Sequence, residues 1–482
     1  MSGPAASPRA AARRGPLVGA LLGWLALLAA AAVPAPARAL DDPAGRMQVT
    51  SLANGLTVLT LEDRTTPVVS LQIWVRVGSR DEARYTGVAH LFEHMMFKGS
   101  RNVAPEEHAR LIEARGGRVN AFTSNDVTVY HEDVTPETLP LAIELEAERF
   151  ANLDISEKTL ASEREVVLEE RRLRSEDNPE GRLFEALLAL AFTAHPYRWP
   201  VIGWRSDVEA VDVAYLREFF RTYYAPNNLV VAVVGNFDTA DAVRRIERAF
   251  GGLEPAPTIP RNPTQEPEQR GERRAEVRFD VRSPIVAVAW HAPKSGDPDG
   301  PALDVLGQIL SGGRSSRLYQ RLVYAEQQAL AAQGGYWELQ DAGLFFAYAS
   351  VRPGSPLARA EASLLDEVER LRREPVGEAE LAKAKKQLEV ALVGGLTTTH
   401  ALAGRIAGDF VTFGRVRGIE ERLAALRAVG AEDVRRVAER YLRPEGRNVV
   451  SLVSPAGEPA QPAAGSPAKP AAGKPGRAGS KR

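Results

Sequence analysis

The chain has 482 residues, 44% hydrophobic and 26% charged, with a net charge of −1 and no cysteine. That length exceeds one ordinary domain, and the near-neutral balance leaves no electrostatic footprint for nucleic acid. The missing thiols exclude disulfides and thiolate metal sites, so any bound zinc must be held by histidine and carboxylate, a donor set that favours a catalytic over a structural site.

The N-terminus reads as a secretory signal. Arg9, Arg13 and Arg14 form a basic region, Leu17 to Val33 is an apolar run, and Ala37-Arg38-Ala39 is a small-x-small cleavage site. Cleavage there makes residues 1–39 a signal peptide and leaves Leu40 as the mature start. The run is short and stops at Pro34 and Pro36, which favours cleavage over a retained membrane anchor. Arg13-Arg14 also hints at twin-arginine export. The mature protein is expected outside the cytoplasm, in the periplasm if the cell is Gram-negative.

Thr66 to Trp74 is an apolar strand run that ends near Gly78-Ser79-Arg80-Asp81. Gly87 to Phe97 follows, an apolar segment interrupted by His90, Glu93 and His94. On a helix, residues four apart stand one turn above each other on one face, so the two imidazoles converge. Glu93 leans over the same point, where a carboxylate can take a proton from a metal-activated water. The pattern H-x-x-E-H is the inverted form of the H-E-x-x-H zinc peptidase motif. The competing reading is an amphipathic helix with incidental histidines. Two of only seven histidines at ligand spacing, on a segment that would otherwise be buried, count against it. Of the others, His108 follows Pro105 at a predicted helix start and is expected to be exposed. His131 and His195 are expected to be structural. Phe122 suits a groove or a core equally.

Helical patterns cover 140–149 and 157–175. In the second, Glu163 and Glu170 are seven apart and share a face. Two histidines need a third protein ligand, and a further carboxylate can orient a ligand from behind. Spacing alone does not choose among Glu163, Glu165, Glu169 and Glu170, and a solvated, charge-rich helix is the competing reading. Asn228 to Gly235 reads as a buried strand, followed by a helix from about Thr239 to Phe250.

Residues 255–274 contain Pro255, Pro257, Pro260, Pro263 and Pro267, which forbid a regular element. They are predicted to link a metal-binding domain, 40–254, to a second domain, 275–454. The second repeats the first in degenerate form. Ser283 to Trp290 parallels Thr66 to Trp74, with Trp74 and Trp290 at matching places and both expected in the core. Ala302 to Leu310 parallels the histidine helix without a histidine, and Arg447 to Val453 parallels Asn228 to Gly235. Further helical patterns cover 357–372, 378–392 and 431–442. The Pro/Ala/Gly/Lys-rich stretch 455–482 is predicted to be disordered.

From about Gly55 to Val453 the sequence resembles the pitrilysin/insulinase family of inverted zincins, which includes the mitochondrial processing peptidases. H-x-x-E-H and the Glu163–Glu170 helix carry the resemblance, with Gly117-Arg-Val-Asn-Ala-Phe-Thr-Ser124, Pro196 to Gly203, and Leu310 to Tyr319. It implies that Glu170 is the third zinc ligand, that Glu163 orients a ligand, and that each chain binds one zinc. It implies an edge strand with Asn120 and Ala121 at the cleaved bond, and peptides or unfolded polypeptides held as an added strand inside a closed chamber. The resemblance also implies that active members use an Arg and a Tyr, seven apart, from a neighbouring inactive module to assist at the scissile carbonyl. Here the corresponding stretch has Arg321 but Gln328 in place of the tyrosine. A homodimer, or a heterodimer with a zinc-free paralogous subunit that supplies the Arg/Tyr pair, is therefore expected. The expected fold class is α+β: two homologous α/β units of roughly 200 residues, each a mostly antiparallel sheet backed by helices, the second lacking the metal site. The expected function is a zinc-dependent endopeptidase with Glu93 as general base; the competing one is a non-catalytic assembly or peptide-binding subunit of the same fold.

Overall fold

The structure, a computed structural model, describes residues 42–455. The predicted signal peptide and residues 456–482 of the predicted tail lie outside the described residues. In the first half, β1 (Gln48–Ser51), β2 (Thr57–Glu62), β3 (Val69–Val75), β4 (Arg118–Thr123), β5 (Thr128–Val134) and β6 (Leu229–Gly235) form a six-stranded sheet in the order β1-β2-β6-β3-β5-β4. Only the pair β2 and β6 is parallel. In the second half, β7 (Arg273–Arg278), β8 (Ile285–Ala292), β9 (Ala329–Trp337), β10 (Gly343–Val351) and β11 (Asn448–Val453) form a five-stranded sheet in the order β7-β11-β8-β10-β9. Here only β7 and β11 are parallel. Without β1 the two orders are the same: each half's first strand runs beside its last, and its third strand forms the far edge. The repeat legible in the sequence is thus a repeat of topology. No helix among the described residues is long and apolar enough to cross a membrane.

Strand alternation splits each central strand between two cores. Val69, Leu71, Ile73 and Val75 of β3, with Leu229, Val231 and Val233 of β6, face the helices of their own half, among them Val88–Met95, Leu139–Asn152, Val213–Tyr223 and Thr239–Phe250. Trp74, Val230, Ala232 and Val234 face the other way, against Leu402, Ala403, Ile406 and Ala407 of helix Thr399–Phe413 from the second half. Reciprocally, helix Pro179–Ala191 of the first half packs Leu183, Leu187, Leu188 and Ala191 on Ile285, Ala287, Ala289, Val450 and Leu452 of the second sheet. Each half covers one face of the other's sheet. Both faces of the central strands are therefore buried, which is why β6 reads as an unbroken apolar run.

Trp74 and Trp290 are both core residues, as expected, but they are not equivalents. Trp74 faces the helix from the other half, whereas Trp290 faces the helices of its own. A one-residue offset along a strand turns a side chain to the opposite face, and such an offset is invisible in a degenerate repeat.

The proline-rich stretch contains no helix or strand until β7 begins at Arg273. It is strapped to the first half. The Glu266 carboxylate accepts from the Thr193 N–H at 2.8 Å and from the Ala194 and His195 N–H groups at 2.9 Å. Arg261 donates to Asn228 Oδ1 at 2.6 Å. A second tie between the halves centres on Asp126. Its Oδ1 accepts from the Tyr197 hydroxyl at 2.5 Å and pairs with Arg80 at 3.1 Å, and its Oδ2 accepts from the Gln340 N–H at 3.1 Å. Arg80 also pairs with Asp341 at 3.1 Å. Asp126→Ala is expected to lower stability by about 2 kcal/mol, because the Gln340 N–H and the Tyr197 hydroxyl lose their acceptor while Arg80 keeps Asp341. A fall in the urea midpoint, with the slope unchanged, is the readout.

Candidate metal centre

Helix Val88–Met95 begins at Gly87, whose φ of 85° suits glycine. A Cβ on the facing Gly203 would stand 2.4 Å from the Gly87 backbone, so both positions depend on close backbone approach. The helix start is fixed from below by Glu82, a buried carboxylate. Its Oε2 accepts from the Gly87 N–H and its Oε1 from the Ala89 N–H, both at 2.8 Å. Asp207 adds bonds to the Thr86 N–H and hydroxyl at 3.0 and 2.7 Å. This clamp sets the rotation of the helix, and hence the direction of His90 and His94.

Helix Glu157–Arg171 packs against it, capped at its start by Ser156. Glu165 and Glu169 face solvent, whereas Glu163 and Glu170 face the histidines. Glu170 Oε2 lies 3.7 Å from His90 Nε2 and 3.2 Å from His94 Nε2. The three ligand atoms thus lie close enough to hold one metal ion, and the donor set of two imidazoles and one carboxylate fits zinc. Glu163, at 2% exposure, stands behind His94, its Oε2 3.5 Å from Nδ1. A proton on Nδ1 leaves Nε2 free as a ligand. Lys98 holds the other oxygen of Glu163 at 3.1 Å.

The electrostatics follow from this wiring. Burial pushes His90 down to about 4, so that ring is neutral. Burial also works against a charged His94, but Glu163 and Glu170 outweigh it and push it up to about 9. His94 therefore sits where positive charge is favoured. The hydrogen bond from His94 holds Glu170 below the usual carboxylate range. Burial raises Glu93 above its ordinary value, opposed by a 2.5 Å hydrogen bond from the Thr123 hydroxyl to Oε2.

Thr123 ends β4, the free edge of the first sheet. Asn120, Ala121, Phe122 and Thr123 line one cleft of about 830 Å³ with His90, Glu93, His94, Glu163 and Glu170. Phe122 is 44% exposed and stands edge-on to Trp74. It is a groove residue, not a core one. His90, Glu93, His94, Glu163, Glu170, Asn120 and Ala121 thus line one cleft.

Residues 57–203 match the family model described as Insulinase (Peptidase family M16), and residues 210–388 match the one described as Peptidase M16 inactive domain. The chain belongs to the M16 insulinase family of peptidases. It is 31% identical over 410 residues to the zinc protease PqqE of Helicobacter pylori, across 83% of this chain and 91% of that one. It is 29% identical over 409 residues to a probable mitochondrial-processing peptidase subunit beta of Arabidopsis thaliana, across 82% and 76%. A crystal structure of a protease from Helicobacter pylori superposes with a TM-score of 0.81 at 29% identity, covering 84% of this chain and 99% of that one.

Other polar residues of this M16 chain take different places. His108, expected at the surface, is 6% exposed. Its short helix, Glu107–Glu113, packs on β4 and turns it inward to Glu132. Burial pushes it down to about 3. Glu146 completes that cluster, and Arg149 donates to it at 2.9 Å through Nε. His131 lies beside His400, with ring centroids 4.7 Å apart, and outside the metal cleft. His195 accepts from the Tyr197 N–H at 3.2 Å and belongs to the tie between the halves. Arg321 is committed to Glu326 at 2.8 Å, Asp366 at 2.5 Å and Glu367 at 3.1 Å, and Gln328 is buried. Glu82, Lys98 and Thr123 were not singled out from the sequence. Thr123 lies in a segment that carried the family resemblance; nothing local marks Glu82 or Lys98.

Proposed function

We propose that the chain is a zinc-dependent endopeptidase that hydrolyses peptides or unfolded polypeptides, with the site in residues 40–254 and an inactive homologous domain in 275–454. What supports this reading is the convergence of His90 Nε2, His94 Nε2 and Glu170 Oε2 in a cleft shared with Glu93 and a free strand edge. His90, His94 and Glu170 would hold one zinc, which supplies an acidified water and a Lewis acid for the carbonyl. Glu163 keeps the proton on His94 Nδ1 and so presents Nε2 to the site. The Thr123 hydroxyl occupies one oxygen of Glu93 and leaves the other to take the water proton and return it to the leaving amine. Burial raises the affinity of Glu93 for that proton, which suits a group that must accept and then release it. The β4 backbone at Asn120 and Ala121 aligns the substrate as an added strand.

Hydrolysis of a mixed library of unstructured peptides by the purified protein tests the reading. Cleavage is expected to stop with a chelator and to return with one equivalent of zinc per chain. A zinc-free protein with unchanged activity would sink it.

Arg321 is locked by three carboxylates and Gln328 is buried, so this pair is in no position to serve another module's cleft. Of the two dimers expected from the sequence, a homodimer would bring only this same pair, so the proposal favours a heterodimer with a zinc-free paralogue that supplies Arg and Tyr; the relative from Arabidopsis is itself named a subunit. Size-exclusion chromatography with activity measured across the peak is expected to place activity at the dimer or larger. Full activity in a monomer peak would count against it. The signal-like N-terminal sequence supports export, to the periplasm in a Gram-negative cell, as part of the same proposal.

A further inference from the structure

We propose that Arg174 is a catalytic residue of this cleft, donating a hydrogen bond to the carbonyl oxygen of the peptide bond under attack. The inference rests on the peptidase reading above. Besides the histidines, two cationic side chains line the cleft, Lys98 and Arg174. Lys98 is spent on Glu106 at 2.7 Å and Glu163 at 3.1 Å. Arg174 has one ion-pair partner among the described residues, Glu170 Oε1 at 2.6 Å, and its side chain is 74% exposed. One Nη of a five-donor fork is engaged in that pair, and the side chain that carries the other donors lines the cleft.

The backbone under this side chain is fixed. Helix Glu157–Arg171 runs directly into a π-helical turn, Arg172–Glu176, a feature that marks functional sites more often than chance. Gly181 packs so close that a Cβ there would stand 2.1 Å from the Arg174 carbonyl oxygen. The backbone is thus closely packed while the side chain is 74% exposed, which leaves the guanidinium room to turn between two oxygen partners.

The chemistry supplies the second partner. Glu170 Oε2 faces the histidines and Oε1 faces Arg174. With Glu170 holding a zinc ion, the guanidinium would lose most of its counter-charge. The strongest acceptor then offered to it is the carbonyl oxygen that gains negative charge as water adds. Arg174 keeps its proton throughout. The C–O bond forms, the C–N bond breaks, and the water proton passes by Glu93 to the amine. An exposed ion pair four residues apart adds under about 1 kcal/mol to stability, so replacing Arg174 should leave the fold intact.

The test uses the full zinc-loaded chain as wild type, Arg174→Met and Arg174→Lys. Arg174→Met is expected to lower kcat about 10²-fold, with KM and zinc affinity, measured by chelator competition, held within about threefold. Arg174→Lys should recover part of the loss, keeping the charge without the fork. A phosphonate analogue of a bound peptide carries a tetrahedral anion at the reacting carbon and needs no turnover. It is expected to bind Arg174→Met about 10²-fold more weakly than wild type, while the parent peptide, measured on Glu93→Gln backgrounds, binds both alike. Zinc and phosphonate binding without cleavage by wild type would count against the peptidase reading alone. Equal phosphonate affinity in wild type and Arg174→Met, or kcat within about threefold of wild type, would overturn the role of Arg174. A parallel fall in zinc affinity and kcat would also overturn it, leaving Arg174 as a holder of Glu170. A change in KM confined to acidic peptides would do the same, making Arg174 a substrate anchor.

Discussion

Glu93→Gln is expected to bind zinc with unchanged stoichiometry and to lose about 10²- to 10⁴-fold in kcat, the range for removal of a general base. The substitution is nearly isosteric. Glutamine still accepts from the Thr123 hydroxyl that bonds Glu93 Oε2 at 2.5 Å, so neither helix Val88–Met95 nor β4 should move. What disappears is the oxygen that takes the water proton. Metal content by mass spectrometry and peptide hydrolysis, measured on one preparation, check both halves of the expectation. His94→Ala is the contrast: it removes a ligand and should lose zinc and turnover together. Glu93→Gln cleaving at the wild-type rate would refute the assignment.

Glu82→Ala is expected to be the most damaging single change away from the ligands. Glu82 is 5% exposed and accepts from the Gly87 and Ala89 N–H groups at 2.8 Å each. Alanine leaves two buried donors without a partner, at about 1–3 kcal/mol each, so a loss of about 3–5 kcal/mol is expected. The helix start would also be free to rotate, and His90 lies in its first turn. Zinc affinity should fall about 10-fold or more, as for other groups that orient metal ligands. Glu82→Gln keeps one acceptor and should show a smaller loss of each. Urea denaturation and chelator competition read the two effects separately. A zinc affinity equal to wild type in a destabilised Glu82→Ala protein would show that the clamp serves the fold and not the site.

The four glutamates between 163 and 170 show where local reading stops. Periodicity says that Glu163 and Glu170 share a face, but not what that face meets. In the structure Glu165 and Glu169 point to water, Glu163 turns beneath His94 to Lys98, and Glu170 reaches both Nε2 atoms. The resemblance to inverted zincins had already singled out Glu170; nothing in the spacing could. His108 is the opposite case. A helix start after Pro105 reads as surface, yet its helix packs on β4 and buries it. Burial is a property of the partner element, which lies elsewhere in the chain.

By itself the sequence determined the local and the periodic. Helical spacing brings His90 and His94 together with Glu93 beside them, alternation and apolar runs mark the central strands, and matched segments reveal two copies of one topology, one without histidines. The tertiary structure alone decided which helix covers which sheet. It exchanged Pro179–Ala191 and Thr399–Phe413 between the halves, put Trp74 and Trp290 on opposite faces, and set Glu82 under the metal helix and Arg174 over its third ligand. The reason is geometric. A helix or strand carries its own period in its residues, but its apolar face fits any complementary face. Only the folded chain selects which one it meets.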